Sequence, residues 1–264
     1  MKRIFSLLLL PLSSLLLSVC ISAQDDAVEK GLAIAVEADK RDTGWSDQIA
    51  SMTMVLRNRT GQESTRMMRL KTLEVVGDGD KSLTIFDEPR DVEGTAFLSF
   101  THALSPDEQW LYLPALKRVK RISSANKSGP FMGSEFAYED LSSQEVKKYS
   151  YRWLRDETLD DRPAFVIERI PLYEHSRYTK QIVWIDQEIY QPLQVEFYDR
   201  KGDLLKTLLS KNYEQYLEKY WRTNEMHMIN HQTGKETTLT WSDYAFSTGL
   251  NERDFDQNSL KRAR

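Results

Sequence analysis

Two histidines, His227 and His231, stand four residues apart, the interval at which a helix turns two imidazoles towards one zinc ion. Hydrolytic zinc helices also place a glutamate directly after the first histidine, and here that position is Met228. The surrounding segment, Arg222 to Asn230, reads as a strand rather than a helix, so no metal is expected. His102 and His175 have no nucleophile pattern beside them, and there is no Gly-x-Ser-x-Gly elbow, Walker loop or other cofactor signature. The pairs Asp25-Asp26 and Asp160-Asp161 suit a helix cap and a turn better than paired carboxylate catalysis. No catalytic residue and no cofactor is assigned. An enzyme would have to gather its histidines and acids from distant positions into one polar cleft.

Charge is the second chemistry the chain offers. Lys117, Arg118, Lys120 and Arg121 form its densest basic run, suited to anionic headgroups or an acidic partner. The ordinary alternative is an edge strand kept from aggregating by its charge. Glu135, Glu139 and Asp140 are expected to answer these cations from a neighbouring loop. The chain as a whole carries 40 acidic and 36 basic residues, a net charge of −4, and this mild acidity argues against nucleic-acid binding.

The elements that position these groups are mostly strands. Asp25 to Lys40 reads as a helix capped by Asp25 or Asp26, with Val28, Leu32, Ala35 and Val36 at three- and four-residue spacing. Trp45 then packs it onto the sheet. Strand patterns follow from Met52 to Arg57, Ser64 to Val76, Lys81 to Asp87, Gly94 to Thr101, Trp110 to Leu113 and Val119 to Ile122. Ser123 to Gly133 reads as a loop, and Glu135 to Leu141 as a short helix or tight turn. Seven more strand patterns run from Tyr149 to Tyr244, with turns at Asp199–Asp203 and His231–Lys235. A short C-terminal helix packs Phe255 and Leu260. Eleven to thirteen strands without βαβ alternation mean a barrel or sandwich in one domain.

The N-terminus, Met1-Lys2-Arg3 followed by an apolar run from Ile4 to Val19 and a small residue at Ala23, is expected to be a cleavable secretory signal over residues 1–23. The single domain then occupies residues 24–264. Lipidation at Cys20 ranks second, because Val19 stands where a lipobox has a small residue, and a permanent anchor ranks third. Cys20 is the only cysteine, so a chain cleaved after Ala23 has no disulfide and relies on its core for stability.

The order and spacing of several motifs resemble the outer-membrane lipoprotein-sorting family, the LolA-like periplasmic proteins, and most closely the branch associated with RND-type exporters. The motifs are Met52-Thr-Met54, Phe86-Asp-Glu-Pro89, Gly94-Thr-Ala-Phe-Leu98, Trp110-Leu-Tyr-Leu-Pro114, Lys117-Arg-Val-Lys-Arg-Ile122 and Gly133-Ser-Glu-Phe-Ala-Tyr-Glu-Asp-Leu141. Trp184-Ile-Asp186, Gln191-Pro-Leu193 and Tyr198-Asp-Arg-Lys-Gly202 add to them. No one motif is specific, but together they cover nearly the whole chain beyond the signal. The resemblance implies a mainly β, open, strongly curved antiparallel half-barrel, with an N-terminal helix and short helices covering its concave face. It implies non-catalytic carriage of a lipid or lipoprotein through the periplasm towards the outer membrane, by a monomer in transient contact with membrane. An inner-membrane RND-type exporter is the implied donor.

The physics of such a task is demanding. Each buried methylene contributes about 0.8 kcal/mol, so an acyl chain of about fifteen methylenes costs on the order of 12 kcal/mol to expose. A carrier therefore needs an apolar cavity that closes when empty and opens when loaded. Met52, Met54, Phe86, Phe97, Phe100, Trp110, Tyr112 and Phe136 are the residues expected to line it, and Met67 and Met68 are weaker choices. Plain core packing is the alternative for each. Phe97 shares strand parity with Ser99, and Phe100 with Leu98, while Trp110 and Tyr112 stand opposite Leu111 and Leu113. The competing function is a non-catalytic periplasmic adaptor or envelope-stress sensor, with a filled core and an outer docking patch.

Overall fold

Alternating apolar and polar residues over most of the chain are realised as one antiparallel sheet. The computed structural model describes residues 14–262. Helix α1 (Ser14–Arg41) leads into β1 (Asp47–Arg57), β2 (Glu63–Leu73), β3 (Lys81–Glu88), β4 (Ala96–Phe100), β5 (Glu108–Leu113) and β6 (Arg118–Ile122). Short 3-10 turns fill the stretch from Ser124 to Lys148. The second run comprises β7 (Tyr149–Leu159), β8 (Arg162–Pro171), β9 (Lys180–Asp186), β10 (Pro192–Tyr198), β11 (Leu204–Tyr216), β12 (Tyr220–Asn230) and β13 (Glu236–Phe246), followed by α2 (Gln257–Arg262). The strand order is β6-β5-β4-β3-β2-β1-β13-β12-β11-β10-β9-β8-β7. Two meanders thus join where β1 pairs with β13, Met54 opposite Leu239. The sheet curves without closing, and β6 and β7 are its edges.

Both faces are apolar because both are covered. The concave face carries the largest cluster, including Met54, Met68, Phe86, Phe97, Val195 and Met228. On the convex face Leu83, Ile85, Leu98 and Trp110 pack beneath Phe255 and Leu260 of the C-terminal segment, as expected for that short helix. A smaller convex cluster joins Val166, Ile182, Trp184 and Leu193 in the other wing. A sheet buried on both sides reads as near-continuous apolar runs, which is the pattern of Ala96-Phe-Leu98 and Ile182-Val-Trp-Ile185.

Helix α1 lies along β7 and differs from its sequence reading in two ways. It extends upstream as far as Ser14, so Asp25 and Asp26 sit inside it rather than capping it. Its contact line is also rotated: Ile34 and Ala35 are buried, whereas Val28, Leu32 and Val36 are 42%, 44% and 47% exposed. The reason is Gly31. A Cβ there would lie 2.6 Å from the Trp153 nitrogen and 2.7 Å from the Arg152 carbonyl carbon, so the helix touches the strand backbone through its glycine. Gly31→Ala is expected to push α1 off β7 and destabilise the protein by about 1–3 kcal/mol despite alanine's better helix propensity. Urea unfolding checks this, and an unchanged midpoint would contradict it.

Of the expected signal, residues 1–13 lie outside the described residues, as does the side chain of Cys20. Among the described residues no helix is long and apolar enough to cross a membrane.

Candidate functional site

The concave face of the sheet is occupied by the chain's own segment between β6 and β7. Phe131 and Phe136 are 1% and 2% exposed, and they lie against the concave residues of β2 to β5. The Phe131 ring centroid is 5.1 Å from that of Phe97, 5.9 Å from that of Phe86 and 5.5 Å from that of Tyr138. Tyr138 also meets Phe97 at 5.5 Å. Aromatic rings meeting edge-on or tilted at these distances add to their area burial. The segment has no regular helix or strand to satisfy its backbone. It carries 3-10 turns at Phe131–Gly133 and Tyr138–Leu141, one isolated bridge between Pro130 and Ala137, and local backbone bonds from the Phe131 amide to the Phe136 carbonyl at 2.7 Å, from Tyr138 to Gly129 at 3.1 Å and from Glu139 to Lys127 at 3.0 Å.

What holds this plug down is a set of polar contacts reaching in from the sheet and from the loop between β8 and β9. Lys206 on β11 is 2% exposed. Its Nζ donates to Asp140 Oδ2 at 2.7 Å and to the Glu135 carbonyl at 2.9 Å. Tyr178 donates its hydroxyl to Asp140 Oδ1 at 2.8 Å. Asn230 Nδ2 donates to Glu135 Oε2 at 2.6 Å, and the Glu135 amide donates to Thr237 Oγ1 at 3.0 Å. Glu139 accepts from the Tyr173 hydroxyl, the Ser176 hydroxyl and the Arg177 amide at 2.9–3.1 Å. On the other side the buried Gln109 of β5 donates Nε2 to the Tyr138 carbonyl at 3.0 Å.

Burial dominates the electrostatics. It raises the Glu139 pKa, with the neighbouring Asp140 adding to the rise and the Arg177 amide and Ser176 opposing it. Burial, reinforced by Asp140 and Glu139, holds the Tyr178 hydroxyl well above its ordinary value, so it stays a donor. Charged groups withdrawn from water and paired through several hydrogen bonds are costly to separate singly. The arrangement is therefore a latch: an aromatic insert seated by apolar contact and fixed by a few desolvated polar contacts.

A family model described only as that of an uncharacterized protein matches residues 78–262. Comparison with curated proteins returned no match. Among solved structures the chain is similar to an outer membrane lipoprotein-sorting protein domain from Vibrio parahaemolyticus, with 64% identity, a TM-score of 0.88 and coverage of 89% of this chain and 100% of that one. The chain belongs to the outer membrane lipoprotein-sorting protein family. It is similar also to a DUF1329 family protein from Desulfovibrio piger, at 29% identity and a TM-score of 0.84 over 89% of this chain and 99% of that one. A LolA superfamily protein from Nitrosomonas europaea shares the fold, with 22% identity and a TM-score of 0.68 over 87% of this chain and 98% of that one.

Within this lipoprotein-sorting fold the residues expected to line a cavity divide between the two faces. Met52, Met54, Phe86, Phe97 and Phe136 belong to the concave cluster, and Met68 joins them. Phe100, Trp110 and Tyr112 do not. They lie on the convex face with Phe255 and Leu260, where Phe100 and Trp110 meet edge-on at 5.1 Å. Strand parity explains the split, since Leu98 pairs with Trp110 while Phe97 pairs with Leu111. Met67 is 48% exposed.

The basic residues Lys117, Arg118, Lys120 and Arg121 are all exposed, on and just before the edge strand β6. Lys120 pairs across from Leu111, so Arg118 and Lys120 extend the concave face outward as a charged lip. Arg121 turns the other way and binds Glu108 at 2.7 Å. Among the described residues the expected pairing of this cluster with Glu135, Glu139 and Asp140 is not found. Those acids bind Asn230, Tyr173 and Lys206 in the latch, which lies on the wing of β9 to β13. His227 bonds Glu236 at 2.9 Å and His231 bonds Thr207 at 2.8 Å, so the two histidines serve different neighbours. The sequence carries no pattern that marks Lys206, Tyr178, Asn230 and Thr237 as latch residues. Their one visible sign is a lysine inside the apolar run Leu204-Leu-Lys-Thr-Leu208.

Proposed function

We propose that the chain is a non-catalytic periplasmic carrier that takes a lipid or lipoprotein onto the concave face and moves it towards the outer membrane. The observation that carries the reading is the plug: an apolar concave surface filled by an irregular aromatic segment rather than by a helix or strand. Apolar interiors are close-packed, so a cargo chain can enter only where existing side chains leave together. A segment whose backbone makes no ladder with the sheet can leave without breaking one. Phe131, Phe136 and Tyr138 then stand in for cargo in the empty state, keeping Met54, Met68, Phe86 and Phe97 dry. Family membership and the LolA-like fold support the same reading. Delivery by an inner-membrane RND-type exporter, brief membrane contact and action as a monomer complete the proposal.

In this scheme the basic edge, the lip of Arg118 and Lys120 with Lys117 and Arg121 beside it, meets anionic headgroups. Neutralising all four should weaken docking to anionic vesicles strongly in low salt and little in high salt, because exposed charges are screened beyond a Debye length of about 10 Å at 0.1 M. Vesicle co-sedimentation measures it, and salt-independent docking would remove the basic edge from this role.

A filled core is also what a non-catalytic adaptor or stress sensor would have, with the basic edge as its docking patch. Native mass spectrometry of the protein taken from the periplasm, with lipid extraction of the same sample, separates the two. Stoichiometric extractable lipid supports the carrier. A chain that stays free of lipid when lipid is offered supports the adaptor.

A further inference from the structure

A cavity of about 490 Å³ opens at the edge of the concave core, between the β4–β5 loop, the end of the plug and the β8–β9 loop. Its volume falls within the range of small-molecule sites. Its walls divide by chemistry. Leu104 and Leu172 stand at the mouth, 82% and 64% exposed, although both are large aliphatic side chains. Tyr149 and Tyr173 form an aromatic wall, their rings edge-on at 5.8 Å.

Three lysines, Lys127, Lys147 and Lys148, line the same space. Two of them share one carboxylate: Lys148 pairs with Asp107, and Lys127 lies 3.6 Å from Asp107 Oδ2 while donating to the Asp107 carbonyl at 2.6 Å. Asp107, Lys127 and Lys148 have side chains only 11–12% exposed. Lys147 pairs with no carboxylate among the described residues. Burial, with Lys148 adding to it, lowers the Lys127 pKa against the opposing pull of Asp107 and Glu139. Of the remaining acids, Glu139 is engaged by Tyr173, Ser176 and Arg177, and the Glu174 side chain is 92% exposed to solvent, 3.9 Å from His175.

We propose that this cavity is a binding site for an anionic head group carrying an apolar tail, with the head at Lys147 and the Lys127–Lys148 pair and the tail against Leu104, Leu172 and the tyrosine wall. The lining as a whole is balanced, three lysines against Asp107, Glu139 and Glu174, but Lys127 and Lys148 gather on the one carboxylate of Asp107 and offer N–H donors to a phosphate or carboxylate there, and the exposed leucines gain from covering by a chain. The site opens at the end of the concave core, sharing Tyr149 with that core and Glu139 with the latch. It touches the plug, because the Tyr173 hydroxyl in its wall donates to Glu139. A ligand here would therefore bear directly on the latch.

Isothermal titration of the full chain with three probes tests the proposal: dodecyl phosphate below its micellar concentration, inorganic phosphate and dodecyl maltoside. Dodecyl phosphate should bind one to one, inorganic phosphate more weakly, and the neutral detergent most weakly. Lys147→Glu and Leu172→Asp, both at exposed positions, should each weaken dodecyl phosphate by about tenfold, the loss expected for one buried leucine or one charge contact. Leu217→Asp, exposed on the remote β11–β12 turn, should leave it unchanged. Equal affinity for the neutral detergent, absence of saturable binding, or binding indifferent to both rim variants would overturn the site. In the last case the amphiphile sits elsewhere, and the carrier reading survives on its own.

Discussion

Lys206→Ala is expected to release the plug while leaving the sheet folded. The lysine side chain is 3% exposed and its partner Asp140 7%, so removal leaves a carboxylate buried without its cation. Breaking a buried pair from one side costs about 3–5 kcal/mol. Much of that cost can be escaped here by local opening, because the segment from Phe131 to Leu141 is tied to the sheet by side chains rather than by a ladder. Hydrogen exchange should therefore show lost protection across residues 131–141 and near-normal protection in β1, β12 and β13. Limited proteolysis should cut first between β6 and β7. Uniform loss of protection would mean that the pair holds the whole fold. Unchanged protection would mean that it holds nothing.

Phe131→Ala should have the next largest effect. The ring is 1% exposed and sits between Phe86, Phe97 and Tyr138, and truncating a buried phenylalanine costs about 3–5 kcal/mol. Two consequences are expected together. Thermal stability of the empty protein falls, and uptake of a fluorescent lipid becomes faster, because the occupant that cargo must displace is weaker. A variant that is less stable yet takes up lipid more slowly would assign Phe131 to the binding surface rather than to the plug.

Much of the sheet was legible because strand alternation and turn chemistry are local. Each strand pattern from Met52 to Tyr244 has its counterpart, and Asp199–Asp203 is a turn, closed by the Asp199 amide to the Asp203 carbonyl at 2.9 Å. The C-terminal helix was legible for the same reason, through Phe255 and Leu260. What covers each face is not local information. Trp110 and Leu111 are both apolar, and only the position of α2 on one side and of Phe131 on the other assigns them to different cores. The α1 stripe Val28, Leu32 and Val36 misled because periodicity identifies a helix, whereas the contact line was fixed by the close approach of Gly31 to β7. The latch was hidden most deeply: Lys206 and Asp140 are 66 residues apart, and each looks like a surface charge until the chain is folded.

If the fold works as a carrier, the plug must leave the concave face for cargo to enter. Replacing Glu135 and Thr237 by cysteine would place a disulfide across the plug and β13, where the Glu135 amide now reaches Thr237 Oγ1 at 3.0 Å. The only native cysteine, Cys20, lies in the expected signal. Lipid loading of this variant, measured oxidised and then reduced, tests this requirement within a single protein. No loading is expected while the disulfide is closed, and recovery once it is reduced. Equal loading in both states would show that cargo binds without moving the plug.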